Sequence, residues 1–256
     1  MTASAAQSIR PNIDHWDQRV DLAAAFRWTQ RLNMHEGVAN HFSLAVSDDG
    51  QKFLMNPNQR HFARVKASDL LLIDANDPAT MDRPDAPDPT AWFLHGALHR
   101  SVPQARCIMH VHSKYATVLA SLADSSMPPI DQNTMRFYGK IAIDDGYDGM
   151  GLGDEAERVA KLMQANPDKT VLIMGNHGIM VFAATVAYAF DEMYYFERSC
   201  ETLITAYMTG KPLRVAPHGV AAKTAAQWRE YPGGIGDPHF GELKAILDAE
   251  GSDFRR

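Results

Sequence analysis

The sequence predicts an α/β or α+β chain in which helices cover a mixed sheet. Three observations point there. Segments with helical spacing alternate with short apolar runs of strand length. Some of those runs are joined by tight turns, at Asp49-Gly50 and across 175–178, as hairpins are. No stretch repeats another, so the pattern reads as one continuous series of elements.

In chain order, residues 1–12 read as a loose arm. Over 13–33, Val20, Leu22, Ala23, Phe26 and Leu32 fall largely on one side of a helix. The stretch HEGVANHFSLAVSDDGQKFLMNP reads as two strands around the Asp49-Gly50 turn. DLLLID, 69–74, is a short buried strand, and ANDPATMDRPDAPDPT is a Pro/Asp-rich surface excursion that returns to a helix at Ala91. CIMHV, 107–111, is a buried strand, followed by a helix over 113–122. MPPIDQNTMRFYGKIAIDDGYDGMG reads as loop and short strand. GDEAERVAKLMQAN is an amphipathic helix with acidic residues in its first turn, where the helix dipole favours them. TVLIMGNHGIMVFAAT is strand, tight turn, strand. Residues 186–208 form a long helix closed by Gly210, too apolar to leave one side wet. From about 212 the tail mixes loop with one or two short helices.

Bulk composition narrows the function. With 256 residues and 45% hydrophobic content, the chain can bury a sizeable core. A net charge of −6 and no basic block argue against nucleic acid or an anionic membrane surface as partner. Two cysteines, Cys107 and Cys200, lie far apart in apolar segments and form no disulfide framework, which fits a reducing cytoplasm. No secretory leader and no membrane-length apolar run is visible. The expectation is a cytoplasmic protein acting on a small molecule.

The chemistry concentrates at two places. His110 and His112 are one residue apart at the end of the 107–111 strand, so both rings point the same way. His177 sits in a turn flanked by Gly175 and Gly178. Three imidazoles with an open fourth position are the pattern of a catalytic zinc site, and Mn²⁺ or Fe²⁺ can be held the same way. On spacing alone, His110 and His112 read equally well as satisfied core histidines. HGALH puts His95 and His99 one helical turn apart, but Gly96 stands where a zincin would carry glutamate, so a metalloprotease is rejected. The pair reads as an amphipathic helix with two polar contacts, one of which could support a metal ligand. The Gly-rich GMGLGDE follows no strong strand and lacks the dinucleotide-binding pattern.

Three segments together resemble the class II aldolase/adducin family: NHFSLAV…FLMNP…ASDLLLID, AWFLHGALHRSVPQARCIMHVHS, and VLIMGNHGIMVFAATVAYAFDEMYYFERSCE. The resemblance covers roughly 15–215 in matching order. It implies one class II aldolase-like α/β domain over 1–256, three-layer α/β/α with a central mixed, largely antiparallel sheet, the tail from about 212 being an extension. It implies that His110, His112 and His177 bind a divalent metal, usually zinc, and that the protein is a homotetramer with active sites at subunit interfaces.

The chain departs from the family's sugar-phosphate aldolases in an informative way. The acid/base glutamate near the start of the AWFLH helix is replaced by Ala91. The phosphate-holding pairs are replaced by Asn58-Gln59 and Pro89-Thr90, and the family's Gly-Asn turn reads Asn40-His41. Proton carriers are then sought in Tyr138 and His41, with Tyr231 or His239 of a neighbouring subunit as further candidates, although a Tyr or His in a loop is more often a plain surface hydrogen-bonding residue. Substrate contacts are expected from Asn40, Asn58, Gln59, Arg60, Thr90 and Gln132. The expected activity is a metal-dependent carbon–carbon lyase, an aldolase or decarboxylase working through a metal-stabilised enolate on a small, non-phosphorylated substrate. The alternatives are a non-catalytic adducin-like interaction module, which the retained histidines argue against, and a sugar-phosphate epimerase, which would want the missing phosphate pairs.

Overall fold

The computed structural model describes residues 12–149 and 154–256; residues 1–11 of the expected arm and 150–153 of the Gly-rich stretch lie outside them. The centre is a seven-stranded sheet in the order β3-β2-β1-β4-β7-β6-β5. Its strands are β1 (His41–Ala45), β2 (Lys52–Met55), β3 (Leu71–Asp74), β4 (Cys107–Val111), β5 (Ile141–Asp144), β6 (Val171–Met174) and β7 (Gly178–Ala183). Every pair is antiparallel except β5 with β6. The expected mixed, largely antiparallel sheet is therefore present.

Strand alternation divides the core into two layers. On one face Phe42, Leu44, Met109, Val111 and Val181 pack with α1 (Trp16–Arg31), α3 (Lys114–Ala120), α6 (Val186–Met208) and α8 (Gly236–Ala249). On the other face Ile108, Met180 and Phe182 pack with Leu94 and Leu98 of α2 (Pro89–Ser101) and Val159 and Met163 of α5 (Glu155–Gln164). Phe53, Met55, Leu71 and Ile73 extend that second layer and meet Ala91 and Trp92 of α2. Helices on both faces give the three-layer α/β/α arrangement.

Local chemistry explains where the sequence reading slipped. Helix α2 starts at Pro89, two residues before the expected Ala91, because Asp88 accepts from the Thr90 and Ala91 amides and Pro89 needs no donor partner. The stretch expected to be loop and strand contains α4 (Gln132–Arg136), capped by Asp131, which accepts from the Thr134 amide. Helix α6 covers its apolar residues with the chain's own α1, α3, α4 and α8, so its hydrophobicity does not by itself demand a partner subunit. The tail forms α7 (His218–Arg229) and α8, and its end is tied down by Asp253 pairing with Arg27 and Lys66. No helix among the described residues is long and apolar enough to cross a membrane.

Candidate functional site

The sheet register assembles the site. Antiparallel pairing sets His41 of β1 directly opposite His110 of β4, so the two rings share a face and stack with centroids 4.8 Å apart. His112 follows one residue past β4. His177 enters from the β6–β7 turn. The rings of His110, His112 and His177 lie 4.8 Å apart pairwise, and one nitrogen from each falls within 4.8 Å of the others.

The turn works for a reason the spacing did not reveal. The left-handed backbone falls on Asn176, at φ 56°, and not on either glycine. Gly178 is needed for closeness instead: a Cβ there would sit 2.7 Å from His112 Cδ2 and 2.7 Å from the Val111 carbonyl oxygen. His112 is also steadied from behind. Glu197 of α6, buried, accepts from the Ser113 hydroxyl at 2.7 Å and from the Tyr115 and Ala116 amides at 2.9 and 3.0 Å, anchoring the first turn of α3 just after His112.

Hydrogen bonding commits the outward nitrogens. His110 Nδ1 lies 3.0 Å from the Ile179 carbonyl, which can only accept, so the ring donates from Nδ1. His112 Nδ1 lies 2.5 Å from the Glu36 carboxylate. The Asn40 side-chain oxygen accepts from the Glu36 amide at 2.7 Å and so holds that loop in place. The Nε2 atoms of His110 and His112 then face each other at 2.9 Å as two bare lone pairs. Two acceptors cannot satisfy one another; a cation between them can. Tetrahedral zinc with nitrogen ligands at ~2.0–2.1 Å keeps neighbouring nitrogens roughly 3.3 Å apart, close to this spacing. Burial pushes the His110 pKa well down, and burial lowers that of His112 despite its bond to Glu36, which favours an imidazole free to ligate. The donor set fits a divalent metal.

These residues border a cavity of about 270 Å³ lined by Ala39, His41, Asp88, Thr90, Leu94, His110, His112, Tyr147, Glu155 and His177. Glu155, the first residue of α5, is buried, with Oε1 3.8 Å from His177 Nδ1. The Tyr147 ring centre is 5.9 Å from that of His177. Asp88, Glu36, Glu155 and Tyr147 were not singled out from the sequence. Asp88 was read only as part of the Pro/Asp-rich excursion and Glu155 only as a first-turn acid; Glu36 and Tyr147 carry no pattern of their own.

Of the sequence candidates, His41 and Thr90 line the cavity and Asn40 supports it. The others lie elsewhere in this chain. Asn58 and Gln59 are exposed on the loop after β2, and Arg60 is directed to Asp69 at 3.9 Å. Gln132 borders a different cavity with Trp228 and Tyr231. The Tyr138 hydroxyl pairs with His218 Nδ1 at 2.8 Å, and His239 with Asp191 at 2.8 Å. Ala91 is fully buried against Phe53 and Met55, facing the sheet, while its neighbours Thr90 and Leu94 face the cavity.

Known proteins share this frame. A Caulobacter vibrioides protein, provisionally named an aldolase class 2 protein, is 30% identical over 77% of this chain and 75% of its own length. Decarboxylase NovR of Streptomyces niveus is 24% identical over 80% of this chain and 75% of its own length. The crystal structure of an aldolase II superfamily protein from Pseudomonas syringae superposes with a TM-score of 0.83 at 27% identity, covering 96% of this chain and 98% of that one. Residues 20–204 match the family described as Class II Aldolase and Adducin N-terminal domain, a span that contains the whole sheet and all three clustered histidines, and the chain belongs to that family.

Proposed function

We propose that the protein is a divalent-metal-dependent carbon–carbon lyase, an aldolase or decarboxylase, acting through an enolate on a small oxygenated substrate without a phosphate. The observation that carries this reading is the pair of bare Nε2 atoms on His110 and His112, 2.9 Å apart beside His177 at the wall of a cavity. Zinc is the metal proposed. When bound, it supplies Lewis acidity toward a carbonyl or enolate oxygen.

The chain's own residues do the rest. Ile179 and Glu36 orient two ligand rings from outside, and Glu197 fixes the turn that follows them. The described lining includes no lysine or arginine, so nothing of this chain there would pair with a phosphate dianion, which supports a non-phosphorylated substrate. His41 and Thr90 are the substrate contacts best placed within one chain. Tyr138, Gln132, Asn58, Gln59 and Arg60 keep a proposed role only by reaching a neighbouring subunit's cavity, which is the reason to propose a homotetramer with shared sites. A cytoplasmic location is proposed from the two buried free cysteines.

The test is a substrate screen on zinc-loaded protein, pairing phosphorylated with free aldols and β-keto acids. Turnover of the free compounds is expected. Turnover of sugar phosphates alone would overturn the non-phosphorylated reading.

A further inference from the structure

Beneath the cavity, a chain of buried polar groups runs away from His41 into the apolar interface between α2 and the sheet. His41 Nδ1 lies 2.8 Å from His95 Nε2. His95 Nδ1 lies 2.5 Å from the Ser43 hydroxyl, which lies 2.7 Å from His99 Nε2. His99 Nδ1 lies 2.6 Å from the Ala105 carbonyl oxygen. All four side chains are buried, His95 and Ser43 completely.

The far end fixes every proton along the chain. A carbonyl oxygen only accepts, so His99 carries its hydrogen on Nδ1 and leaves Nε2 bare. The single hydroxyl hydrogen of Ser43 must then go to His99 Nε2. The Ser43 oxygen is left to accept, so His95 donates from Nδ1 and its Nε2 is bare. That nitrogen accepts from His41 Nδ1. With all three rings neutral, His41 Nε2 is the one nitrogen of the series left as a free lone pair, and it has no protein partner among the described residues. Neutrality of the two deeper rings is supported by burial, which pushes His99 down to about 3 and His95 well below its ordinary value.

We propose that His95, Ser43 and His99 are positioning residues that hold His41 in the Nδ1–H tautomer, so that it offers the cavity a fixed hydrogen-bond acceptor for a hydroxyl of the substrate. This rests on the lyase reading and sharpens it. The rest of the polar lining leans the same way: Asp88 and Glu155 bring carboxylate oxygens, and no cationic side chain of the described lining balances them. The favoured ligand class is a hydroxylated carbonyl compound, whose carbonyl oxygen goes to the metal ligands' side and whose hydroxyl goes to His41. Buried acceptors left unpaired by a ligand without the hydroxyl would cost affinity sharply, the asymmetry that makes hydrogen-bonding sites selective.

Long-range ¹⁵N–¹H correlation spectra of ¹⁵N-histidine-labelled full-length protein read the tautomer directly, in metal-free and zinc-loaded samples. The expected result is His41, His95 and His99 all protonated on Nδ1. In Ser43→Ala the His95 Nδ1 hydrogen loses its acceptor, and His41 should become a mixture of tautomers or carry its hydrogen on Nε2. His99→Gln, which removes the ring that receives the Ser43 hydrogen, should release the same lock if Ser43→Ala does not fold. Wild-type His41 protonated on Nε2, or variants that leave the Nδ1–H form unchanged, would overturn the proposal. Zinc stoichiometry, measured on the same samples, reports on the lyase reading separately: its failure would leave the tautomer result standing, and the reverse.

Discussion

The histidines at the open corner and those in the buried seam share one sheet face, yet they dispose of their ring nitrogens differently. In the seam, His95, Ser43 and His99 satisfy one another and end on the Ala105 carbonyl, so the group is complete without any ligand. At the corner, Ile179 and Glu36 take the outer nitrogens of His110 and His112 and leave the inner ones pointed at each other. A closed network rigidifies; an open one with convergent lone pairs asks for a cation. His41 belongs to both, and through it the rigid group sets what the open group meets.

Changes at the corner should separate these roles. The largest effect is expected from His177→Ala, which removes a proposed metal ligand and should lower turnover on the substrate found by screening by roughly 10³-fold or more, the worth of several kcal/mol of Lewis-acid assistance. Loss of less than tenfold would mean that the corner is not where the chemistry happens. Gly178→Ala comes next. Its Cβ would collide with His112 and with the Val111 carbonyl, one of them backbone, so thermal unfolding should reveal a loss of about 1–3 kcal/mol together with weaker metal binding. Unchanged stability would show that the β6–β7 turn has room to move. Glu36→Gln should weaken zinc about 10- to 100-fold by competition titration while leaving the melting temperature of metal-free protein nearly unchanged, because Glu36 is exposed and acts on the ring it holds.

The seam predicts a response to acid. Unfolded histidine binds a proton near pH 6.5, whereas burial holds His99 neutral down to about 3. Protons therefore favour the unfolded chain, so this contribution is intact above pH 6.5 and is lost as pH falls toward 3. His99 alone should cost about 1.4 kcal/mol by pH 5.5, with His95 acting in the same direction. Denaturant unfolding of metal-free protein at pH 7.5 and 5.5 measures it, and the difference should shrink in His99→Gln. An equal slope in both proteins would mean that the seam is not neutral.

Parts of this arrangement were legible in the sequence because they are local. His110 and His112 share a face through the two-residue period of a strand, and His177 is marked by its glycines. The fold followed from alternating periodicities and from segments shared with a known family. The seam was not legible. His95 and His99 at helical spacing look like two ordinary polar contacts, and Ser43 is an unremarked residue of β1. What joins them is the docking of α2 across β1, a tertiary fact with no trace in spacing. The same holds for Glu36 and Glu197, which reach the site from an exposed loop and from a helix that reads as core. Tyr138, Gln132, Asn58, Gln59 and Arg60 point to the opposite lesson: nearness suggested by motif order is not nearness in one folded chain.

The central claim is that His110, His112 and His177 together hold one divalent ion. Elemental analysis of protein purified with supplemented metal and then dialysed tests it most directly. One zinc per chain in the wild type, and none in a folded His112→Ala, is the result expected. Wild-type protein without stoichiometric metal, or His112→Ala that keeps it, would contradict the account.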